Sequence, residues 1–126
     1  MRLHLGNTVF DTSEEHTFTA AQTFLRIGFG AIESITLSSD IAAVTKSYVK
    51  LLAQTSTTDD CVQITGLSVG DIIMVTADTG DTITMKDGAN MVIGGDKALV
   101  GTNGDMLLLV CQASGKVRAI AAWADN

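Results

Sequence analysis

The sequence predicts an all-β domain of sandwich or jelly-roll type, built from short antiparallel strands. Between residues 61 and 123, short apolar runs alternate with Gly, Asp and Asn turn signals at a spacing of roughly eight to twelve residues, the rhythm of strands joined by turns. Within these runs the side chains follow period 2: Thr82, Thr84 and Lys86 alternate with Ile83 and Met85, which gives a strand one wet and one buried face. Composition agrees, because hydrophobic residues are 46% of the chain and aromatics only 5%, so the core is made of Val, Ile, Leu, Met and Ala.

Taken in order, residues 1–15 show no periodicity beyond Val9 and Phe10, and set Arg2 against Asp11, Glu14 and Glu15. They read as an N-terminal arm, of the kind that gains order against a neighbour. Residues 16–126 read as a single β-rich domain. Its first stretch carries Phe18 and Phe24, half of the chain's 4 Phe, and reads as a plug for an apolar surface of this chain or of another subunit. Ile27, Phe29, Ile32, Ile35 and Leu37 follow, with Gly28 and Gly30 fitting a turn between short strands and residues 34–37 alternating as a strand.

Residues 39–53 carry conflicting signals. Ile41, Val44, Tyr48 and Leu51 fit a helical spacing behind an N-cap at Ser39 or Asp40, whereas residues 47–52 also read as a strand. Strands are the reading adopted, because the flanking segments are strand-like and β-branched residues interrupt the helical pattern.

After a polar loop over residues 54–60, the strand candidates are 61–64, 72–77, 82–86, 91–93, 98–100, 106–112 and 117–123. The run from Met106 to Cys111 is apolar at every position, so it lies centrally with both faces covered, or a neighbouring subunit covers one of them. With Pro absent, the 12 Gly and the Asn and Asp residues make the turns. No internal repeat is strong enough to predict a solenoid.

The formal charge of −6, with 8 scattered Lys and Arg, argues against a nucleic-acid partner. No apolar run reaches the roughly 18 residues of a membrane span, and the N-terminus lacks the basic-then-apolar order of a signal peptide, so synthesis in a cytoplasm is expected. The two cysteines, Cys61 and Cys111, read as buried small hydrophobes in a reducing compartment, a disulfide being the alternative.

Chemistry finds little footing. Asp78, Asp81, Asp87, Asp96 and Asp105 all fall at turn-like positions without the ligand ladder of a calcium loop, and turn formation is the expected role. His4 and His16 have no nucleophile at a recognisable elbow, and residues 94–97 lack the spacing of a phosphate loop. No enzyme, metal or cofactor is expected. Trp123, the single Trp, either anchors the last strand or, if exposed, stacks on a sugar ring.

Two motifs resemble those of a known group. HTFTAAQTF (residues 16–24) resembles the (W/F)T(G/A)xQTF segment of tail-fibre and head-fibre proteins of tailed bacteriophages. ITGL (64–67), GDIIMV (70–75), DTITMKDG (81–88), NM (90–91) and GD (95–96) are similar, in that fixed order, to a β-module found at the C-termini of phage virion proteins. This chain departs from that module in lacking the Gly before Asn90, in Ala124 and Asp125 after Trp123, and in Ser114, Gly115 and Lys116 where an Asp-Gly is usual.

The resemblance implies a phage structural protein without catalytic residues, commonly a homotrimer, and most like a small capsid decoration or cement protein on the capsid exterior. Its partners would be further copies of itself and the major capsid protein. The alternative is a carbohydrate-binding, receptor-binding tip module of a fibre, with a host surface glycan as partner. The chain begins with its own Met and has neither a heptad stretch nor a long shaft, which favours decoration. Capsid or inter-subunit contact is expected at Phe10, His16, Phe18 and Phe24, and glycan contact, in the alternative, at Trp123.

Overall fold

The computed structural model describes residues 2–5, 8–11, 19–21, 23 and 25–123. Within the expected arm, β1 (Arg2–Leu5) and β2 (Thr8–Asp11) pair as an antiparallel hairpin. The remaining strands are β3 (Glu33–Thr36), β4 (Ile41–Ala43), β5 (Tyr48–Leu52), β6 (Thr58–Cys61), β7 (Gln63–Thr65), β8 (Ile72–Ala77), β9 (Thr82–Met85), β10 (Met91–Val92), β11 (Lys97–Val100), β12 (Met106–Ala113) and β13 (Lys116–Trp123). The domain is all-β; its one helical element among the described residues is a 3-10 turn at Gly101–Asn103.

A 6-stranded sheet runs β10-β13-β12-β8-β5-β3, a 3-stranded sheet runs β11-β9-β6, and β4 pairs with β7. The strand pairing corrects the expected antiparallel arrangement. β3 with β5, β5 with β8, β4 with β7, β6 with β9, and β10 with β13 are all parallel, and the antiparallel pairs of this domain are β9–β11, β8–β12 and β12–β13. Period 2 assigns a side chain to a face but is the same for either strand direction, so the sequence pattern carried no information on this point.

The parallel pairs arise because the chain turns corners between sheets instead of reversing within one. From β5 it passes to β6, then β7, and returns to β8 beside β5, a solenoid-like winding. The registers Ile41 with Gln63, Thr58 with Thr82, and Tyr48 with Met74 make a turn of the winding about 22 to 26 residues long. The first turn is shorter, with Glu33 opposite Val49, and this uneven length explains why no repeat is visible in the sequence. One corner falls at Val62, which splits the expected strand 61–64 into β6 and β7; the Val62 N–H donates to the Asp40 carbonyl at 2.8 Å.

Two glycines permit the tight stacking. Gly66 has φ +95, and a Cβ built there would lie 2.1 Å from the Val44 carbonyl oxygen. At Gly101 a Cβ would lie 1.8 Å from the Asp78 carbonyl oxygen. No side chain larger than hydrogen fits either place without backbone movement.

The core lies between the sheets. Val49, Leu51, Ile73, Val75, Leu107, Leu109 and Val117 come from the 6-stranded sheet, Cys61, Ile83, Met85 and Leu99 from the 3-stranded sheet, and Ala42 and Ile64 from β4 and β7. All are buried, as the alternation at Ile83 and Met85 predicts. Residues 41–43 and 48–52 are strands, so the strand reading of residues 39–53 holds over the helical one. Cys61 and Cys111 are free and buried, and burial pushes the Cys61 thiol up to about 12.

Candidate interaction surfaces

The turn carboxylates are engaged in holding the winding together. Asp81 Oδ2 accepts from the Ala53 N–H at 2.9 Å, tying the turn before β9 to the end of β5. Asp87 Oδ1 accepts from the N–H groups of Ile93 and Gly94, chiefly the former, and these bonds hold its carboxyl below the usual carboxylate value. Asp96 accepts from the Asp87 N–H and pairs with the Lys86 ammonium, which likewise lowers it. Asp105, only 4% exposed, accepts from the Val100 N–H at 2.9 Å. Asp78 pairs with Lys50 at 2.9 Å. All five lie at turns, as expected, but their side chains bond groups 5 to 28 residues away and so join one turn or strand to another. Among the described residues, no group of three or more His, Cys, Asp or Glu could hold a metal ion, and no helix is long and apolar enough to cross a membrane.

A depression of about 300 Å³ is lined by Asp40, Thr58, Asp59, Asp60 and Thr84. Asp40 in this lining, and Ser39 before it in the chain, have positive φ, 63° and 51°. Asp59 is already committed, with Oδ2 accepting from the Gln54 N–H and Oδ1 from the Asp60 N–H. The lining contains no aromatic ring, thiol, imidazole or cation.

The more informative surface is the outward face of the 6-stranded sheet. In β12, Leu107, Leu109 and Cys111 point into the core, which leaves Met106, Leu108 and Val110 on the opposite face, each half-buried. The registers set Leu108 beside Met74 of β8 and Ala121 of β13, Val110 beside Ile72, and Met74 beside Tyr48 of β5. Tyr48, Met74, Leu108 and Ala121 therefore form an apolar row across four strands, with Ile72 and Val110 in the next row. The doubly apolar run of β12 is central, as expected, but within one chain only its inner face is fully covered.

A second apolar surface precedes β3. Residues 26–30 belong to no strand, which corrects the expectation of a short strand running into the turn at Gly28 and Gly30; Gly30 does turn, with φ 78°, and the strand after it is β3. Leu25 (105%), Ile27 (74%), Phe29 (37%) and Ile32 (39%) are exposed.

The sequence-predicted contact residues are only partly placed. Phe10 lies on β2 opposite Leu3, and Trp123 ends β13 opposite Met106, with their backbones alone described. His16, Phe18 and Phe24 lie outside the described residues. Sequence reasoning missed Leu25 and the outward row on β5 and β8 as contact candidates. The period-2 placing of Leu25, Ile27 and Phe29 was the available signal for the first.

The chain is an all-β protein, and no protein-family model, curated protein or solved structure matches it.

Proposed function

We propose that this chain is a non-enzymatic structural protein of a tailed phage, a homotrimer that binds the capsid exterior and stabilises contacts between major capsid subunits. Synthesis in the host cytoplasm and assembly onto the virion belong to the same reading. The observation that carries the self-assembly part is the outward apolar face centred on Leu108 and Met74, on a sheet whose other face already covers the core. The phage setting rests on the motifs at residues 16–24 and 64–96. We take the core as a sandwich-type packing, with the 6-stranded sheet in one layer and β6, β9 and β11 with β4 and β7 in the other. Residues 1–15, with Phe10, and residues 16–24, with His16, Phe18 and Phe24, are the proposed capsid or inter-subunit contacts.

The test is addition of the native chain, or of a chain lacking residues 1–15, to capsids that lack the protein. The native chain saturates the particles and raises the temperature at which they open, while the shortened chain stays folded and unbound. Equal binding by the shortened chain removes the contact from the arm; no binding by either rejects decoration.

The alternative, a carbohydrate-binding fibre tip, draws on the Asp- and Thr-lined depression, whose side chains are of a type that hydrogen-bonds sugars. Without an aromatic platform in that lining it ranks second. It predicts glycan binding lost in Asp60→Ala if the depression is the site, and in Trp123→Ala if the end of β13 is.

A further inference from the structure

We propose that the outer edge of β3 is a strand-addition site, occupied by the N-terminal hairpin β1–β2 of a neighbouring copy of this chain. This deepens the self-assembly part of the function proposed above and rests on it.

Four strands stand at the edges of the two larger sheets: β3 and β10 in one, β6 and β11 in the other. An edge strand offers unpaired N–H and C=O groups to any strand that meets it, and at three of these edges the chain takes outward N–H groups for itself. At β6, Thr82 and Lys86 donate to the carbonyls of Thr57 and Cys61, so the backbone groups of Thr58 and Asp60 face outward. Their N–H groups donate to Ser56 Oγ at 3.2 Å and to Asp59 Oδ1 at 2.9 Å. At β10 the outward N–H of Met91 donates to the Gly88 carbonyl, and that of Ile93, just past the strand, to Asp87 Oδ1. At β11 the outward N–H of Val100 donates to Asp105 Oδ2.

β3 is built differently. The Leu37 N–H donates to the Leu52 carbonyl, which turns the backbone groups of residues 33, 35 and 37 toward β5 and those of residues 34 and 36 away from it. The outward N–H and C=O groups of Ser34 and Thr36 bond no group among the described residues, and both residues are exposed. This edge accepts a strand through its backbone, where the other three resist one.

The occupant is argued from the start of the chain. β1 and β2 form a sheet of two strands, and a hairpin of that size is marginal in water until a further strand joins it. Its strands are 4 residues long, as is β3. Within one chain the hairpin and the 6-stranded sheet stay separate, so their pairing belongs to a contact between copies. Residues 12–32 join the two and span at most about 70 Å at roughly 3.3 Å per residue. That is several times the radius of gyration of about 13 Å of a domain of about 100 residues, so an adjoining subunit is within reach. Each copy gives one hairpin and receives one, the heterologous arrangement from which rings are made.

The test uses the full chain in sedimentation equilibrium, with amide hydrogen exchange read at Ser34. An acceptor variant, Thr36→Pro, removes an outward N–H and sets a ring on the edge while sparing the N–H groups that bond β5, a change edge strands tolerate. A donor variant, Leu3→Pro with Val9→Pro, places one Pro in each strand of the hairpin and breaks it. The native chain is expected to assemble as a trimer, each variant to associate at least about tenfold more weakly, and an equimolar mixture of the two to form a heterodimer from one intact hairpin and one intact edge. Exchange at Ser34 is expected to be at least about tenfold slower in the native assembly than in the donor variant. Should Thr36→Pro lose the native circular dichroism, the donor variant decides alone. A donor variant that stays trimeric with Ser34 still protected overturns the hairpin as occupant while leaving the homotrimer standing. A native chain that is monomeric with fast exchange at Ser34 overturns both. A native monomer whose Ser34 is protected, and loses that protection in the donor variant, overturns the contact between copies in favour of a hairpin laid on its own β3.

Discussion

The solenoid-like stacking makes an unusual demand at Gly66, and substitution there measures it. In Gly66→Ala the new methyl would sit 2.1 Å from the Val44 carbonyl oxygen, and ordinary contact requires about 3.4 Å, so the β4 and β7 turns must part by more than 1 Å. The Val44 N–H donates to the Thr65 carbonyl at 2.9 Å across the same gap and does not survive that shift. The cost has three parts: about 1–2 kcal/mol for Ala at φ +95, about 1 kcal/mol for the hydrogen bond, and about 1–3 kcal/mol for the overpacking. A total of about 3–6 kcal/mol is expected.

Two controls separate these parts. Gly80 has the same φ of +95 with nothing near its missing Cβ, so Gly80→Ala carries the conformational cost alone, about 1–2 kcal/mol. Gly101 has an ordinary φ but a contact at 1.8 Å, so Gly101→Ala carries the steric cost alone. Urea unfolding of all three at one fixed protein concentration gives the comparison. If Gly66→Ala is no less stable than Gly80→Ala, the close approach of β4 and β7, and with it the parallel winding, is refuted.

The other predictions concern buried and turn groups. Asp105→Ala leaves the Val100 N–H without its acceptor in a buried turn and is expected to cost about 1–3 kcal/mol in urea unfolding. Glu33, Asp78, Asp87 and Asp96 are held below their ordinary values of 4.5 and 3.8, by Thr45, Lys50, the Ile93 N–H and Lys86 respectively. Groups depressed on folding add stability that is complete above the unfolded value and is lost as pH falls through the folded one. The urea midpoint is therefore expected to hold steady down to about pH 5 and to drop below about pH 4, less steeply in Lys86→Ala. Cys61, with its thiol pushed up to about 12 and fully buried, is expected to resist iodoacetamide at pH 8 until urea unfolds the chain; rapid alkylation of the native protein would contradict its burial.

Much of the strand content was legible. β8, β9 and β12 announce themselves by apolar alternation or apolar runs, and Gly66, Gly70, Gly80, Gly94, Gly95, Gly104 and Gly115, all at positive φ, stand among the expected turn residues. What was not legible is strand direction. A parallel and an antiparallel neighbour ask the same alternation of Ile73, Val75 and Ala77, and unequal turns of winding leave no repeat to betray the stacking. The corner at Val62 was hidden for a related reason, since an exposed Val inside an apolar run looks like strand continuation. At the candidate surface, Met106, Leu108 and Val110 were legible as apolar, but that their face is left half-open required knowing that β12 lies between β8 and β13 with the core on one side.

The most direct test of the functional account is co-sedimentation of the purified, size-verified protein with phage capsids lacking it and, in parallel, with host envelope glycans. Saturable binding to capsids at fixed stoichiometry, with none to glycans, is the predicted result. Binding to glycans alone would contradict the account and make the fibre-tip reading the one to pursue.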